Sequence, residues 1–84
     1  MKITIYGTMT CSYCFALKDW LDEMGVEYEY YFVDHDKKKA EEMASLGGDG
    51  GVPFTVVEMG GGKMEKILGF DRAKFMKVLG NDRG

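Results

Sequence analysis

Hydrophobic and polar residues follow two different periods along the chain, and each period predicts a different kind of element. The stretch KITIY (2–6) alternates between the two faces of an extended chain, which predicts a first strand. From Cys11 onward, apolar residues recur at steps of three and four. This spacing predicts a helix whose buried face carries Cys14, Leu17, Leu21 and Met24. Gly25 is a natural end for this helix.

The middle of the chain predicts a second strand and a second helix. VEYEYYFVD (26–34) is rich in aromatic and β-branched residues, and a strand there would place on one face Val26, Tyr28, Tyr30 and Phe32. Either Asp34 or Asp36 can cap a helix over about 37–46. The apolar side of that helix would consist of Ala40, Met43 and Ala44.

The last third predicts a hairpin and a closing helix. GGDGG (47–51) is a loop signal, and strands are predicted over 53–58 and 63–68, joined by a glycine-rich turn. Asp71 is the predicted cap of the last helix, which would end at Gly80. Its inward side chains would be Phe75, Met76, Val78 and Leu79. Residues 81–84 are expected to form a frayed tail.

The predicted order is β-α-β-α-β-β-α, which places the chain in the α/β class. The first half is a βαβ unit, so its two strands should be parallel and joined by a right-handed crossover. The second half adds a hairpin and a helix. The economical packing is a four-stranded mixed sheet covered by three helices. A chain of 84 residues with 45% hydrophobic content fits one domain over residues 1–84.

Composition and charge narrow the classes of partner. A net charge of −3 gives no basic surface for nucleic acid. The lysines at 37–39 are flanked by acidic residues, which favours a solvated helix face over a basic docking patch. No secretion signal and no apolar run of about 18 residues is visible, so neither export nor a membrane span is expected. We expect a monomeric, cytoplasmic protein, whose cysteines stay reduced unless they perform redox chemistry or bind metal.

The two cysteines lie where the first strand gives way to the first helix. Cys11 falls at or near the helix N-terminus, where free N–H groups and the helix dipole stabilise a thiolate. Cys14 lies one turn later, within the buried stripe. This placement makes the sulfurs unequal. An exposed Cys11 would attack a substrate disulfide, and Cys14 would attack second to release the reduced product.

Two structural roles for the pair are weaker. A Cys11–Cys14 disulfide would close a very short loop and constrain the unfolded chain little. A structural zinc ion needs about four ligands, whereas the whole chain offers two cysteines and one histidine. His35 follows the second strand and can in principle approach the pair, although a solvated loop position is the commoner role for such a histidine. We therefore expect no metal site.

Three short motifs resemble those of glutaredoxins and similar small redoxins of the thioredoxin fold. CSYC (11–14) is similar to the family's CPYC, GVPF (51–54) to its TVP element, and LGFDR (68–72) to the element that opens its last helix. The resemblance covers nearly the whole chain, and the order of elements agrees with it. It implies a thioredoxin fold of the glutaredoxin type.

The resemblance also implies roles for particular residues. Val52–Pro53 would be a cis bond facing Cys11, and the Val52 backbone would offer its N–H and C=O to an extended substrate segment. Tyr13 would be exposed and rest against a substrate peptide. The start of the last helix would bind a substrate carboxylate through Gly69, Phe70 and Asp71, with a simple helix cap at Asp71 as the equal alternative.

The function that the resemblance implies is reduction of protein disulfides, or of mixed disulfides with glutathione, without a bound cofactor. Glutathione-using members usually carry a lysine at the position of Thr8. Electron supply is therefore open between glutathione and a thioredoxin-type reductase. The Gly69-Phe70 pair resembles redoxins that serve ribonucleotide reductase, which makes that enzyme a candidate protein substrate.

Two other functions stay open. Ser12 stands where many family members have proline, and some such members bridge a [2Fe–2S] cluster between two subunits with the help of bound glutathione. An iron–sulfur carrier or sensor is therefore one alternative. A redox-inert binding module that holds a partner along Val52 is the other.

Overall fold

A computed structural model of the chain describes residues 1–48 and 51–83, and this range contains three helices and four strands. The strands are β1 (Lys2–Gly7), β2 (Glu29–Phe32), β3 (Phe54–Gly60) and β4 (Lys63–Leu68). The helices are α1 (Ser12–Glu23), α2 (Lys37–Ser45) and α3 (Arg72–Arg83). The predicted order is confirmed. Of the loop predicted over 47–51, residues 49 and 50 lie outside the described range.

The sheet is mixed and has the strand order β2-β1-β3-β4. β1 is parallel to β2, and β3 is antiparallel to both β1 and β4. The predicted four-stranded mixed sheet and parallel βαβ unit are therefore confirmed. Because β1 and β3 are antiparallel, with Tyr6 opposite Phe54, the end of β1 and the start of β3 meet at the same edge. This edge brings the residues after Gly7 close to those before Phe54.

Side chains of the central strands alternate between two cores, one on each face of the sheet. The larger core lies under α1 and α3 and consists of Ile3, Ile5, Leu17, Leu21, Val57, Ile67, Phe75 and Val78. The smaller core lies under α2 and consists of Tyr6, Met43, Phe54 and Val56. The stripe predicted for α1 is buried at Cys14, Leu17 and Leu21. It fixes the helix whose first turn carries the cysteines.

β2 is shorter than predicted. It begins at Glu29 instead of Val26 and ends at Phe32 instead of Asp34. The Val26 N–H donates to the Leu21 carbonyl at 3.0 Å, so Val26 still belongs to the C-terminus of α1 and its N–H is not free for the sheet. The predicted bounds 26–34 are wrong at both ends.

Asp36, of the two candidates, caps α2. Its carboxylate accepts a hydrogen bond from the Lys39 N–H at 3.1 Å. Met43 is buried as predicted, but Ala44 is exposed. Leu46, just beyond the helix, packs against the smaller core instead. The apolar face of α2 is therefore rotated slightly from the predicted one.

α3 runs to Arg83, so its predicted end at Gly80 is wrong. Glycine within a helix lowers its stability by about 1 kcal/mol relative to alanine, which does not end a helix that packs against a core. Most of the expected tail is therefore helical. Phe75 and Val78 face the core as predicted, whereas Met76 is 54% exposed.

β3 begins at Phe54 and ends at Gly60, whereas the prediction was 53–58. Pro53 lies outside the strand, since proline has no N–H to donate to a sheet. A register shift between Glu58 and Gly60 allows β3 to continue to the hairpin turn. Gly60 has a φ of 81°, in the left-handed region that favours glycine. The bounds predicted for β4 are confirmed.

The helices are short. α1 and α3 have 12 residues each and α2 has 9. Within residues 1–48 and 51–83, none combines the length and the hydropathy that crossing a membrane requires.

Candidate active site at the start of the first helix

Cys11 lies at the N-terminus of α1 and caps it. Its backbone is extended (φ −91°, ψ 108°), as the backbone of an N-cap residue usually is, and Ser12 begins the helix. The Sγ atom accepts a hydrogen bond from the Cys14 N–H at 3.2 Å. The first N–H groups of a helix lack partners within the helix and carry positive partial charge. The Cys11 sulfur therefore faces hydrogen-bond donors, and no acidic side chain in the first turn opposes them.

Cys14 has a different environment from Cys11, although one helix turn separates them. Cys14 is fully buried and Cys11 half-buried, and both are free thiols. Burial, together with the hydrogen bond to Cys11, raises the pKa of the Cys14 thiol to about 11. Cys14 is therefore protonated at neutral pH. The structure therefore shows the difference in exposure that the sequence predicts for the two sulfurs.

The Val52–Pro53 peptide bond faces Cys11 at the sheet edge. The bond is cis, as the resemblance implies. The Cys11 Sγ lies 4.0 Å from the Val52 carbonyl oxygen, although 41 residues separate the two in sequence. Pro53 is buried and Val52 is half-buried. The backbone of Val52 is thus adjacent to the sulfur that is open to solvent.

The start of α3 is held by contacts within the protein. The Gly69 N–H donates to the Pro53 carbonyl at 2.8 Å, so this donor is already satisfied. Phe70 packs against Trp20, with the ring centroids 5.7 Å apart. The Asp71 carboxylate accepts the backbone N–H three residues later at 3.1 Å, which is the capping role expected as one of its two alternatives. Substrate binding by these three residues stays a prediction.

Exposed apolar side chains flank Cys11. Tyr13 is 69% exposed, as the resemblance implies, and Met9 is 55% exposed. Both residues lie within two positions of Cys11 in the sequence. Phe15 is partly exposed and stacks on Tyr30, with centroids 6.4 Å apart and an interplanar angle of 10°.

Asp34 holds the loop before Cys11, a role that the sequence pattern missed. Its carboxylate accepts a hydrogen bond from the Met9 N–H at 3.2 Å. The predicted parallel pairing of β1 and β2 could have indicated this role, since parallel strands end at the same edge of a sheet. His35 is exposed, with its Nε2 3.6 Å from the Asp34 carboxylate. In the part of the chain that the structure describes, no three histidine, cysteine, aspartate or glutamate side chains are placed to hold a metal ion.

Tyr30 is the second residue that the pattern missed. Its hydroxyl donates to the Thr8 carbonyl at 3.3 Å. A Cβ atom on Gly7 would collide with this hydroxyl and would lie 2.9 Å from the Cys14 Sγ. The absence of a side chain at Gly7 therefore allows the tyrosine to approach the buried sulfur. In sequence, Tyr30 is one of several aromatic residues in a strand, and nothing distinguishes it from a core residue.

Comparisons with known proteins agree with this geometry. A sequence model of the glutaredoxin family matches residues 3–60. A glutaredoxin-like 8.6 kDa protein of the rubredoxin operon in Clostridium pasteurianum is 35% identical over 77 residues. That alignment covers 92% of this chain and 96% of the clostridial protein.

Solved structures match over nearly the whole chain as well. Methanoredoxin from Methanosarcina acetivorans has a TM-score of 0.74 at 28% identity, over 94% of this chain and 84% of that one. The glutaredoxin-like protein NrdH-redoxin from Escherichia coli has a TM-score of 0.77 at 24% identity, over 93% and 95% of the two chains, which shows the shared fold. The predicted thioredoxin fold is confirmed. The chain belongs to the glutaredoxin family, a family of redox proteins.

Proposed function

We propose that this protein is a dithiol thiol–disulfide oxidoreductase that reduces protein disulfides, or mixed disulfides with glutathione, through Cys11 and Cys14. One observation carries the proposal: the two sulfurs share a helix turn but have opposite environments. Cys11 is presented at a helix N-terminus, whereas Cys14 is buried and its pKa is raised to about 11. A first nucleophile and a delayed second thiol require this inequality.

The proposed reaction consists of two exchanges. In the first, the Cys11 thiolate attacks a substrate disulfide. A bond forms between Cys11 and one substrate sulfur, and the other substrate sulfur leaves as a thiolate. In the second, the Cys14 thiolate attacks the Cys11 sulfur, the Cys11–Cys14 bond forms, and the remaining substrate sulfur leaves. Two electrons pass to the substrate, its thiolates take protons from solvent, and the protein is left oxidised.

The proposed substrate position is along Val52. A carbonyl 4.0 Å from the Cys11 Sγ is close enough for a peptide paired with Val52 to bring its own sulfur to the nucleophile. The exposed side chains of Met9 and Tyr13, next to Cys11 in the sequence, would contact the side chains of that peptide. Backbone pairing supplies affinity without reading sequence, which suits a reductant of several protein disulfides.

The proposed electron donor is glutathione or a thioredoxin-type reductase, in a reducing compartment such as the cytoplasm. Thr8 supplies no positive charge for a glutathione carboxylate. This favours a protein reductase. Ribonucleotide reductase is a candidate substrate on the family resemblance alone. Re-reduction of the oxidised protein by glutathione, or by thioredoxin reductase with NADPH, distinguishes the two donors.

Trapping the covalent intermediate tests the proposal. Cys14→Ser can attack a disulfide but cannot resolve the product. Incubation with a peptide disulfide should therefore leave a stable mixed disulfide on Cys11, seen by mass spectrometry as the added mass of one substrate half. The matched control is Cys11→Ser, which should trap nothing because its remaining thiol is buried. Trapping by both variants, or by neither, would contradict the proposal.

A further inference from the structure

The second exchange of the proposed reaction requires a thiolate at a buried position. Cys14 is fully buried, and burial is the largest cause of its raised pKa. A buried anion is costly unless hydrogen-bond donors face it. Two donors lower the pKa of Cys14 in opposition to burial: the Thr8 backbone and the Tyr30 hydroxyl. Of these two donors, only the hydroxyl can change its direction, by rotating about its C–O bond.

Gly7 places the Tyr30 hydroxyl beside the buried sulfur. The space that a Cβ on Gly7 would fill is bordered by both the Tyr30 hydroxyl and the Cys14 Sγ, the latter 2.9 Å from the Cβ position. The Tyr30 ring is fixed on two sides, by Phe15 at 6.4 Å and by Phe32 at 4.9 Å between centroids. The ring is therefore held in place while its hydroxyl keeps rotational freedom.

The hydrogen bond that the Tyr30 hydroxyl makes in this state is a weak one. It reaches the Thr8 carbonyl at 3.3 Å, longer than a typical O–H···O bond of about 2.8 Å. A thiolate is charged and accepts more strongly than a neutral carbonyl. When Cys14 loses its proton, the hydroxyl therefore gains by turning from Thr8 to the sulfur.

We propose that Tyr30 is a positioning residue for the second exchange, and that its hydroxyl stabilises the Cys14 thiolate while this attacks the Cys11 sulfur. The inference rests on the proposed dithiol function. The Cys14 proton passes to solvent, the Cys11–Cys14 bond forms, and the substrate sulfur leaves Cys11 as a thiolate. Tyr30 keeps its own proton throughout, since burial and the neighbouring Cys14 raise its pKa well above the ordinary value.

Few other titratable groups act on this pair. Cys11 faces Cys14 from the start of α1, and an anion there raises the pKa of Cys14. Asp34, beyond the end of β2, raises the pKa of Tyr30 through its negative charge, as Cys11 and Cys14 also do. The negative charges that act on Tyr30 keep it a neutral donor. Among the described groups that act on Cys14, Tyr30 is the one side chain that lowers its pKa.

The test separates the two exchanges in time. Reduced protein is mixed rapidly with excess of a symmetric chromogenic disulfide, so that each exchange releases one coloured thiol. Tyr30→Phe keeps the ring and its stacking and removes only the hydroxyl. The matched control is Tyr31→Phe, whose hydroxyl binds the exposed Glu29 on the same strand.

Tyr30→Phe should leave the first release unchanged and slow the second about threefold at neutral pH. Loss of this donor raises the pKa of Cys14 and lowers its thiolate fraction, and the accompanying rise in nucleophilicity offsets only about half of that loss on a logarithmic scale. The pH profile of the second release should also move to higher pH. Tyr31→Phe should match the wild type in both phases.

Second-phase rates and pH profiles that are equal in Tyr30→Phe and the wild type would overturn the inference and leave the proposed function intact. A wild type that releases no second thiol would instead overturn the proposed function. If Tyr30→Phe does not fold, 3-fluorotyrosine incorporated at position 30 replaces it. Its more acidic hydroxyl donates more strongly, so the second release should become faster, and an unchanged rate would again reject the role of Tyr30.

Discussion

Each of the three described helices begins with the same kind of hydrogen bond, from a backbone N–H to the side chain three residues earlier. At α1 the acceptor is sulfur instead of oxygen. At α2 and α3, Asp36 and Asp71 each accept the N–H three residues later at 3.1 Å. At α1, the Cys11 Sγ accepts the Cys14 N–H at 3.2 Å. The backbone thus offers the same anion-binding position three times, and the sequence fills it with two carboxylates and one thiol.

The comparison separates helix capping from chemistry. Aspartate is among the best N-cap residues and cysteine is not, so a thiol at the start of α1 is explained by reactivity better than by stability. The residue that supplies the N–H differs as well. At α2 and α3 it is a lysine in contact with solvent, Lys39 and Lys74, whereas at α1 it is the buried Cys14. At both positions, the cap and the residue three positions later, α1 has a cysteine where α2 and α3 have charged residues.

The largest expected effect comes from replacing the sulfur at the start of α1 by oxygen. Cys11→Ser should lower turnover of a protein disulfide at least about 10³-fold, because no nucleophile remains at the surface. Serine is itself a good N-cap, so the free energy of unfolding should change by less than about 1 kcal/mol. Turnover and urea unfolding of the same preparation measure both quantities.

The matched control for that variant lies at the start of α2. Asp36→Ser makes the same kind of replacement at an equivalent cap, away from the sulfurs, and should leave turnover unchanged. Substantial turnover by Cys11→Ser, or a comparable loss in Asp36→Ser, would mean that the starts of α1 and α2 do not differ in the way we describe.

The second effect in size concerns stability at alkaline pH and isolates Cys14. Its pKa is raised from 9.0 to about 11 in the folded protein, because burial disfavours the thiolate. A raised folded-state pKa gives stability that is complete below pH 9 and is lost as the pH rises from about 9 to about 11. The free energy of unfolding should fall by roughly 2–3 kcal/mol over this range.

Cys14→Ala removes the titrating group and should flatten this part of the stability profile, even if its stability at neutral pH is lower. Tyr6, Tyr28 and Tyr30 also have raised pKa values and destabilise the fold at higher pH in both proteins. The difference between wild type and variant therefore reports Cys14 together with its effect on the pKa of Tyr30. Parallel profiles of the two proteins between pH 9 and 11 would show that Cys14 does not lose its proton in the manner expected.

The smallest expected effect compares the three caps directly. Asp36→Ala and Asp71→Ala should each lower the free energy of unfolding by about 1 kcal/mol, measured by urea denaturation at neutral pH. Cys11→Ala should lower it by less, because a thiol is a weaker acceptor than a carboxylate. A larger loss for Cys11→Ala than for the aspartates would indicate that the sulfur is retained for capping after all.

The spacing of hydrophobic residues predicted an element correctly where no other element competes for its backbone hydrogen bonds. The stripe of α1 and the bounds of β4 follow from periodicity, and both are confirmed. The start of β2 was wrong because the Val26 N–H stays with the Leu21 carbonyl, a competition that strand composition does not reveal. The end of α3 was wrong because the helix continues through Gly80, and the low helix propensity of one glycine, about 1 kcal/mol, does not end a helix already fixed in the core by Phe75 and Val78.

The sequence by itself determined the unequal pair of sulfurs, since a change of period at Cys11 places it at a helix start and Cys14 on the buried stripe. Only the tertiary structure decided what surrounds them. Tyr30 and Asp34 are distant from the cysteines in the chain, as is Val52, which the family resemblance had already placed there. They reach the site because β1 runs parallel to β2 and antiparallel to β3. Such contacts depend on strand order and register, which arise from the packing of all elements together and leave no local trace in the sequence.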